Sequence, residues 1–484
     1  MNRRQFSKSG LLLGTGLTTG GSGFSWPVET AAEYYEEPAR KLPARKFDVV
    51  VVGGGTAGVV AAIAAARQGA KTVLIEIKGY PGGAITEGGT ALHSFFNIWR
   101  PFPGVKKRQV IRGIPQEIVD RLVKIGGCTG HGEQTIGHRD STCTVVDTEL
   151  YKLVAFQMLV ESGVYVCVNT LLTGAIKEGS RVKGVISESR SGREVFYAKS
   201  FVDCTAYGDL AAYAGAQYTE PNDYAVCNAV GMGNVSIDKL HGFLKEHNAV
   251  REYAEGRRSG QDGRIIRVLG EWANLPPEFA KEAKEIGIEF VTTTVHDNYF
   301  MFVKLNLLLG KSPTNRDEVA KAELEIRQRQ LLALELFKKW LPGCEKAFIA
   351  RTAPTLNIRR GRLITCDHDV THEDVIGGRH FDDQVYVYSY HDIGTYKVKD
   401  GGTYGLPYKA LRPKGIENLL VAGMLITSDR RAHQSTRNTV SCMAQGQAAG
   451  TAAALCAIKN KGTREVPYSL LRETLVKGGV YFEG

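Results

Sequence analysis

The residues with the plainest chemistry are Gly53-x-Gly55-x-x-Gly58 and, a helix-length interval later, Glu76. Glycines at this spacing let main chain turn tightly and lie close to a ligand. A helix beginning at Ala57, directly after Thr56, would aim its unpaired N–H groups at a pyrophosphate. A carboxylate at Glu76 can accept the hydroxyls of a ribose. A glycine triplet alone could be a βα turn that binds nothing; the triplet with its strands, its helix and its acid reads as a dinucleotide site.

Several elements must hold these groups. Val49 to Val52 is β-branched and apolar on both faces, which suits a central parallel strand covered by helices. Ala57 to Gln68 is built of small helix formers, and Lys71 to Ile75 reads as a second buried strand. Directly after Glu76 comes a glycine-dense run from Gly79 to Gly89. It is either main chain laid against a flat ring system or a flexible surface loop. Further on, Asp147 is placed to cap a helix through Leu150, Val154 and Met158 that ends at Gly163. Val164 to Val168 is then a strand, and Val182 to Ser187 with Glu194 to Ala198 makes a hairpin. Lys199 to Cys204 leads into Thr205-Ala206-Tyr207-Gly208-Asp209, and Asn418 to Ala422 is a buried strand ending at Gly423. A long charged helix is expected from Asp317 to Trp340, with Ala320, Leu324, Arg327, Leu331 and Leu334 tracing one face.

With 484 residues, 43% of them hydrophobic, the chain can bury a large core in two or three domains or one elaborate one. Its net charge of +10 comes without a basic tract, which argues against nucleic-acid binding. Nine cysteines are scattered without a CxxC pair. Cys167, Cys204, Cys442 and Cys456 read as buried free thiols, and neither a dithiol relay nor a zinc site is supported. Arg3-Arg4-Gln5-Phe6 before the apolar run Leu11 to Leu17 reads as a twin-arginine export signal, implying a periplasmic or secreted protein. That run is too short to span a bilayer.

Three blocks, Asp48 to Gly89, Asp147 to Gly215 and Ile349 to Leu455, resemble the FAD-dependent oxidoreductases with a glutathione-reductase-like start, in the branch related to fumarate reductase flavoproteins. The resemblance implies an α/β fold: a Rossmann-like βαβ parallel-sheet domain binding FAD, with an inserted mixed α+β substrate domain. It divides the chain into a signal (1–32), a linker (33–46), a discontinuous FAD domain (47–105, 142–216 and 403–465), a cap (106–141 and 217–402) and a tail (466–484). It places Gly82, Gly83 and Thr86 along the flavin and Val166 beside adenine. Thr205 and Gly208 match a TGDGD turn in which Ala206 and Tyr207 depart from the family pattern. Gly423 and the small-residue helix Ala444 to Ala454, with Gln445, Gly446 and Ala448, complete the cofactor set. That helix would aim its dipole at the pyrimidine edge of the ring, and its small residues would also let it pack closely on the first helix.

No second glycine-turn unit follows, so the substrate is expected to meet the flavin directly, with hydride passing between a substrate carbon and N5. His391 and His433 are the candidates for the accompanying proton transfer, unless each is a satisfied structural histidine. Arg359, Arg362, Arg430 and Arg437 could grip a carboxylate or a polyol, or could pair with Asp367, Asp382, Asp392 or Asp429. The expected reaction is oxidation of an alcohol on a sugar, sugar acid or hydroxy acid, with oxygen, a quinone or a redox protein taking the electrons. Reduction of an unsaturated acid and a non-catalytic FAD- or NAD-binding scaffold are the alternatives. No metal is expected.

Overall fold

A computed structural model describes residues 34–87, 92–94, 96–97, 108–128, 130–136, 142–257, 264–271, 274–296, 298–389, 398–399 and 402–483. The expected export signal and His391 lie outside the described residues.

Five strands form one parallel sheet, in the spatial order Leu419–Val421, Ser200–Asp203, Val49–Val52, Thr72–Ile75, Tyr165–Cys167. The first four are wholly buried, as their valine- and leucine-rich sequences require. Strand order reverses between Val49–Val52 and Ser200–Asp203, so a crevice opens beyond their carboxyl ends. The helix Thr56–Arg67 covers the sheet, and the helix Thr439–Lys459 packs on it with main chain nearly touching. A Cβ added at Gly446 or Gly450 would lie 2.1 Å from the carbonyl oxygen of Ala57 or Ala61 respectively. The small residues of this helix therefore do the packing expected of them. The helix itself starts earlier than its run of tiny residues, with Asn438 as cap.

Beside this sheet the hairpin Arg181–Ser189/Gly192–Tyr197 pairs with Leu171–Glu178, and Ala44–Lys46 adds a parallel edge strand. That edge strand lies inside the expected linker.

The cap is a nine-stranded antiparallel sheet in the order Phe348–Thr352, Val226–Gly233, Tyr299–Leu307, Ile288–His296, Arg264–Gly270, Val250–Arg257, Gly132–Ile136, Thr142–Val145, Leu92–Ser94. Leu92–Ser94 and Thr142–Val145, expected in the FAD domain, are its far strands. On the other side, the residues from Ile364 to Tyr388, together with Val398, share the buried core of the parallel sheet and not that of the cap. The cap core ends near Ile358, short of the expected residue 402. The expected tail forms the helix Tyr468–Lys477, which buries Leu471 and Leu475 in the parallel-sheet core.

The long helix runs Arg316–Trp340, capped by the Asn315 side chain accepting the Asp317 and Glu318 amides. Its buried face is Ala322, Ile326, Gln330, Ala333, Leu336 and Phe337, and not the face expected from sequence. Leu324 and Leu331 are exposed. The buried Gln330 is satisfied by Asn228 Oδ1 at 2.8 Å, so a polar residue stands on the core face and disguises it.

Candidate active site

A cavity of about 410 Å³ opens where the strand order reverses. Its lining joins the glycine turn (Gly53, Gly55, Thr56, Ala57), the strand end Ile75–Glu76, Gly83, Thr205, Gly423, Arg437 and Thr439 to the cap residues Val319, Glu323 and Thr355 to Ile358. Gly53 has φ +93°, and a side chain there would strike the Cys204 carbonyl. Gly58 is a packing residue: a Cβ would lie 1.7 Å from the Gly53 oxygen. Gly55 differs, since an added Cβ would meet nothing nearer than Gly83 Cα at 3.9 Å. The first turn of Thr56–Arg67 has no side-chain cap and no acidic residue. Thr56 and Ala57 line the cavity, so the free N–H groups of a helix start lie there, a good fit for a pyrophosphate.

Glu76 is buried beside the turn and accepts the amides of Gly54 and Lys78, the latter at 2.7 Å. Burial pushes its carboxyl above the usual range, against the two N–H groups that favour the charged form. At the same end of the cavity, Ile77 and Leu171 are 55% and 48% exposed, apolar surfaces that a flat ring would cover. On the neighbouring strand Asp203 is fully buried. It accepts the Thr205 amide and hydroxyl and the Ala211 amide, and burial pushes its pKa up to about 6. Those bonds hold the turn in which Ala206 sits at φ +67°, a left-handed position that suits glycine.

The remaining cofactor candidates divide. Gly82 and Thr86 shape the loop behind Gly83: the Thr86 hydroxyl donates to the Gly83 carbonyl at 3.1 Å, and neither residue lines the cavity. Gly208 turns away toward Ile364, and Val166 lies on the edge strand, with Thr170 to Leu172 lining the cavity instead. Gly446 and Ala448 are buried in helix packing. Gln445 reaches the site indirectly, accepting the Gly423 amide at 2.8 Å and donating to the Thr436 carbonyl at 2.7 Å. The helix end that does line the cavity is Thr439 and Cys442. Three fully buried tyrosines underpin it. The hydroxyls of Tyr404, Tyr388 and Tyr386 bond Ser435, Asn438 and Ser441, at spacings of three residues.

His433 is completely buried and both its ring nitrogens are engaged. Nε2 lies 3.0 Å from the Arg359 carbonyl, to which it donates, and Nδ1 lies 3.0 Å from Ser428 Oγ. Burial first, then the charges of Arg437 and Arg360, hold its pKa well below the ordinary histidine range. It is a neutral structural histidine with no nitrogen left for a substrate. The arginines gather around a residue the sequence did not single out, Tyr224. The guanidinium carbons of Arg360, Arg430 and Arg437 stand 5.5, 5.6 and 5.6 Å from its ring centroid. Arg360 and Arg430 share Asp223, at 3.1 and 3.8 Å, and Asp429 is taken up by the amides of Arg431, Ala432 and His372. Arg362 is the structural one, paired with Asp209 at 2.8 Å and Glu220 at 3.1 Å. Tyr207 and Glu87 also line the cavity, with Glu87 accepting the Thr355 hydroxyl at 3.1 Å.

Among curated proteins, a 3-oxosteroid 1-dehydrogenase of Mycobacterium tuberculosis is 39% identical over 75 residues, 16% of this chain and 12% of that protein. A 3-oxosteroid 1-dehydrogenase of Mycolicibacterium smegmatis is 37% identical over 76 residues, with the same shares. The chain thus spans only 12% of the length of these relatives. A geranylgeranyl bacteriochlorophyll reductase-like protein from Thermoplasma acidophilum aligns over 90% of this chain and 84% of its own, at 14% identity and a TM-score of 0.45. A p-nitrophenol 4-monooxygenase from Pseudomonas putida aligns over 90% and 84%, at 12% identity and a TM-score of 0.41. The family model of FAD dependent oxidoreductases matches residues 48–475, from the strand before the glycine turn to the last helix. A match of that extent, over a chain whose crevice suits a dinucleotide, makes this protein a member of the FAD dependent oxidoreductase family, an oxidoreductase with FAD as its cofactor.

Proposed function

We propose that the enzyme oxidises a secondary alcohol on a small polar molecule, a sugar, sugar acid or hydroxy acid. The observation that carries this reading is that one cavity is lined both by the glycine turn and by the polar group Arg437, Thr439, Tyr207 and Thr355. A substrate held there meets the cofactor directly.

The Thr56–Arg67 amides and Glu76 would hold the pyrophosphate and ribose of FAD, Ile77 and Leu171 its adenine, and Gly83, Gly423 and Thr439 its ring system. FAD supplies the two-electron acceptor for a hydride. Arg437 orients the substrate, the cap residues exclude water, and His391 takes the hydroxyl proton, an assignment that rests on sequence. The electrons then pass to oxygen, a quinone or a redox protein.

The test is anaerobic mixing of the holoenzyme with a panel of sugars, sugar acids and hydroxy acids, and with a 3-oxosteroid because of the short local likeness, while the oxidised flavin band is followed. An alcohol should bleach it, and His391→Ala should slow that bleaching on the order of a hundredfold with FAD retained. If no alcohol bleaches the band and reduced enzyme is instead reoxidised by fumarate-like acids, the enzyme is a reductase of unsaturated acids. We also propose twin-arginine export, for which Arg3→Lys with Arg4→Lys should trap FAD-loaded protein in the cytoplasm. Unchanged export of that double variant rejects the route.

A further inference from the structure

We infer that the outer face of the helix Arg316–Trp340 docks against the same helix of a second copy of this chain, the two running antiparallel. Such a pairing is independent of which substrate the enzyme oxidises.

The stripe Ala320, Leu324, Arg327, Leu331 and Leu334 advances in alternating steps of four and three residues, the spacing of a helix that packs along another helix. The fold leaves the centre of this stripe open, because the cap core takes the opposite face through Ala322, Ile326, Ala333 and Phe337. Leu324, Leu331 and Leu332 are 42, 41 and 43% exposed, and Ala320 is exposed one turn before them. Leu331 lies within about 20° of Leu324 around the helix axis, two turns further on. The two therefore form a ridge, flanked by Leu332, along the line where a surface helix ordinarily carries polar residues.

The charges beside the ridge identify the occupant. Asp317 and Lys339 stand eleven residues to either side of Gln328, Glu318 and Lys338 ten, Lys321 and Glu335 seven, and Leu324 and Leu332 four. A second copy turned end for end about Gln328 would set an opposite charge against each of these charges, and a leucine against Leu324. An acidic first turn and a basic last turn follow from the helix dipole, but Lys321 and Glu335 run against it. Within the chain these two pair with Glu318 and Lys338, at 3.5 and 3.3 Å, in solvent-open contacts that contribute little alone. The facing copy would join them into groups of four alternating charges. A membrane surface fits less well, since the exposed Glu325 and Glu335 stand among the leucines, whereas an interfacial helix is rich in cations. The inner side of the same helix carries Val319 and Glu323 to the cavity, where Glu323 accepts the Leu356 amide at 2.6 Å. A docked copy would brace that cavity wall from behind.

Sedimentation velocity of the FAD-loaded enzyme at micromolar concentration should give a particle of twice the chain mass. Leu324→Glu with Leu331→Glu should raise the dissociation constant about a hundredfold or more. Both leucines are exposed, so FAD content and the melting temperature of dilute protein should not change. Lys321→Glu and Glu335→Lys, each alone, should weaken self-association about tenfold, because each brings like charges together. Mixing the two variants should restore association, since the reversed charge of one then meets its opposite on the other. Enzyme that stays monomeric, a dimer indifferent to the leucine variant, or a mixture no tighter than its components would overturn the inference. So would flotation of monomeric enzyme with anionic phospholipid vesicles that is lost in the leucine variant, because the face would then belong to a membrane.

Discussion

At Gly55 the fold leaves room that a ligand can fill, and this separates binding from folding at one position. Its backbone, at φ −70° and ψ −170°, is open to any residue. Gly55→Ala should therefore keep the apoprotein within about 1 kcal/mol of the parent and weaken FAD at least tenfold. A melt of the apoprotein and a flavin titration check both halves, and undiminished FAD affinity would remove the pyrophosphate from this turn. His433 carries a pH signature. In the fold it stays neutral, whereas in the unfolded chain it titrates near 6.5. Above that pH both states are neutral and the group contributes no slope. Below it the unfolded state gains a proton that the folded state refuses, so stability falls with pH by up to about 1.4 kcal/mol per unit. Asp203, raised to about 6, works in the opposite sense, gaining its proton first in the folded state. His433→Gln should flatten the acid limb between pH 7.5 and 5.5 in urea unfolding. A limb of unchanged steepness would assign the sensitivity to other groups.

Among the elements, the contact of the helices Thr56–Arg67 and Thr439–Lys459 is the tightest constraint. Gly446→Ala drives a Cβ into the Ala57 carbonyl and should cost about 2 kcal/mol or more, read as a shifted urea midpoint with loss of bound flavin. A silent substitution would mean that the helices can separate freely. This pairing was legible because tiny residues at helical spacing have few other uses. The same signal misplaced the helix start, because Thr439 to Met443 are ordinary residues whose role depends on three tyrosines far away in sequence. The strands and the Asp147 cap were legible for local reasons: alternation, β-branching and a carboxylate just ahead of free amides. The buried face of Arg316–Trp340 was not, since leucines occur around the whole helix and Gln330 takes a core position through Asn228, over a hundred residues away in sequence. Whether His433 was a base or a structural histidine was undecidable in the sequence for a similar reason. One of its partners is a carbonyl 74 residues away, which the local pattern does not announce, and the other is the Ser428 hydroxyl five residues back. Tyr224 escaped notice because a single tyrosine has no motif; its meaning lies in the arginines that the fold brings to it.

At the scale of the molecule, two separate cores meet across the cavity. Among the described residues, the polar contacts that join them include Arg351 with Thr148 and the Thr86 carbonyl, Thr355 with Glu87, Asp223 with Arg360 and Arg430, and the Tyr224 hydroxyl donating to the Arg430 carbonyl. A cofactor between the cores should bind them into one cooperative unit, adding about 4 kcal/mol when free FAD is a thousandfold above its dissociation constant. Scanning calorimetry should give one transition for the holoenzyme and two, at lower temperature, for the FAD-stripped protein. Two transitions that persist unchanged in the holoenzyme would show that FAD does not bridge the cores. The nine-stranded sheet has one more consequence. Its strands are drawn from two stretches of chain, 92–145 and 226–352, and the helix Ile114–Lys124 within the first stretch and the helix Thr148–Glu161 between the two pack in the other core. A lid on one tether can swing; a lid sewn down at several points can only slide. Substrate entry in this enzyme should therefore involve shear of the cap over the parallel-sheet domain, and a cut in a single cap hairpin should leave the pieces locked together.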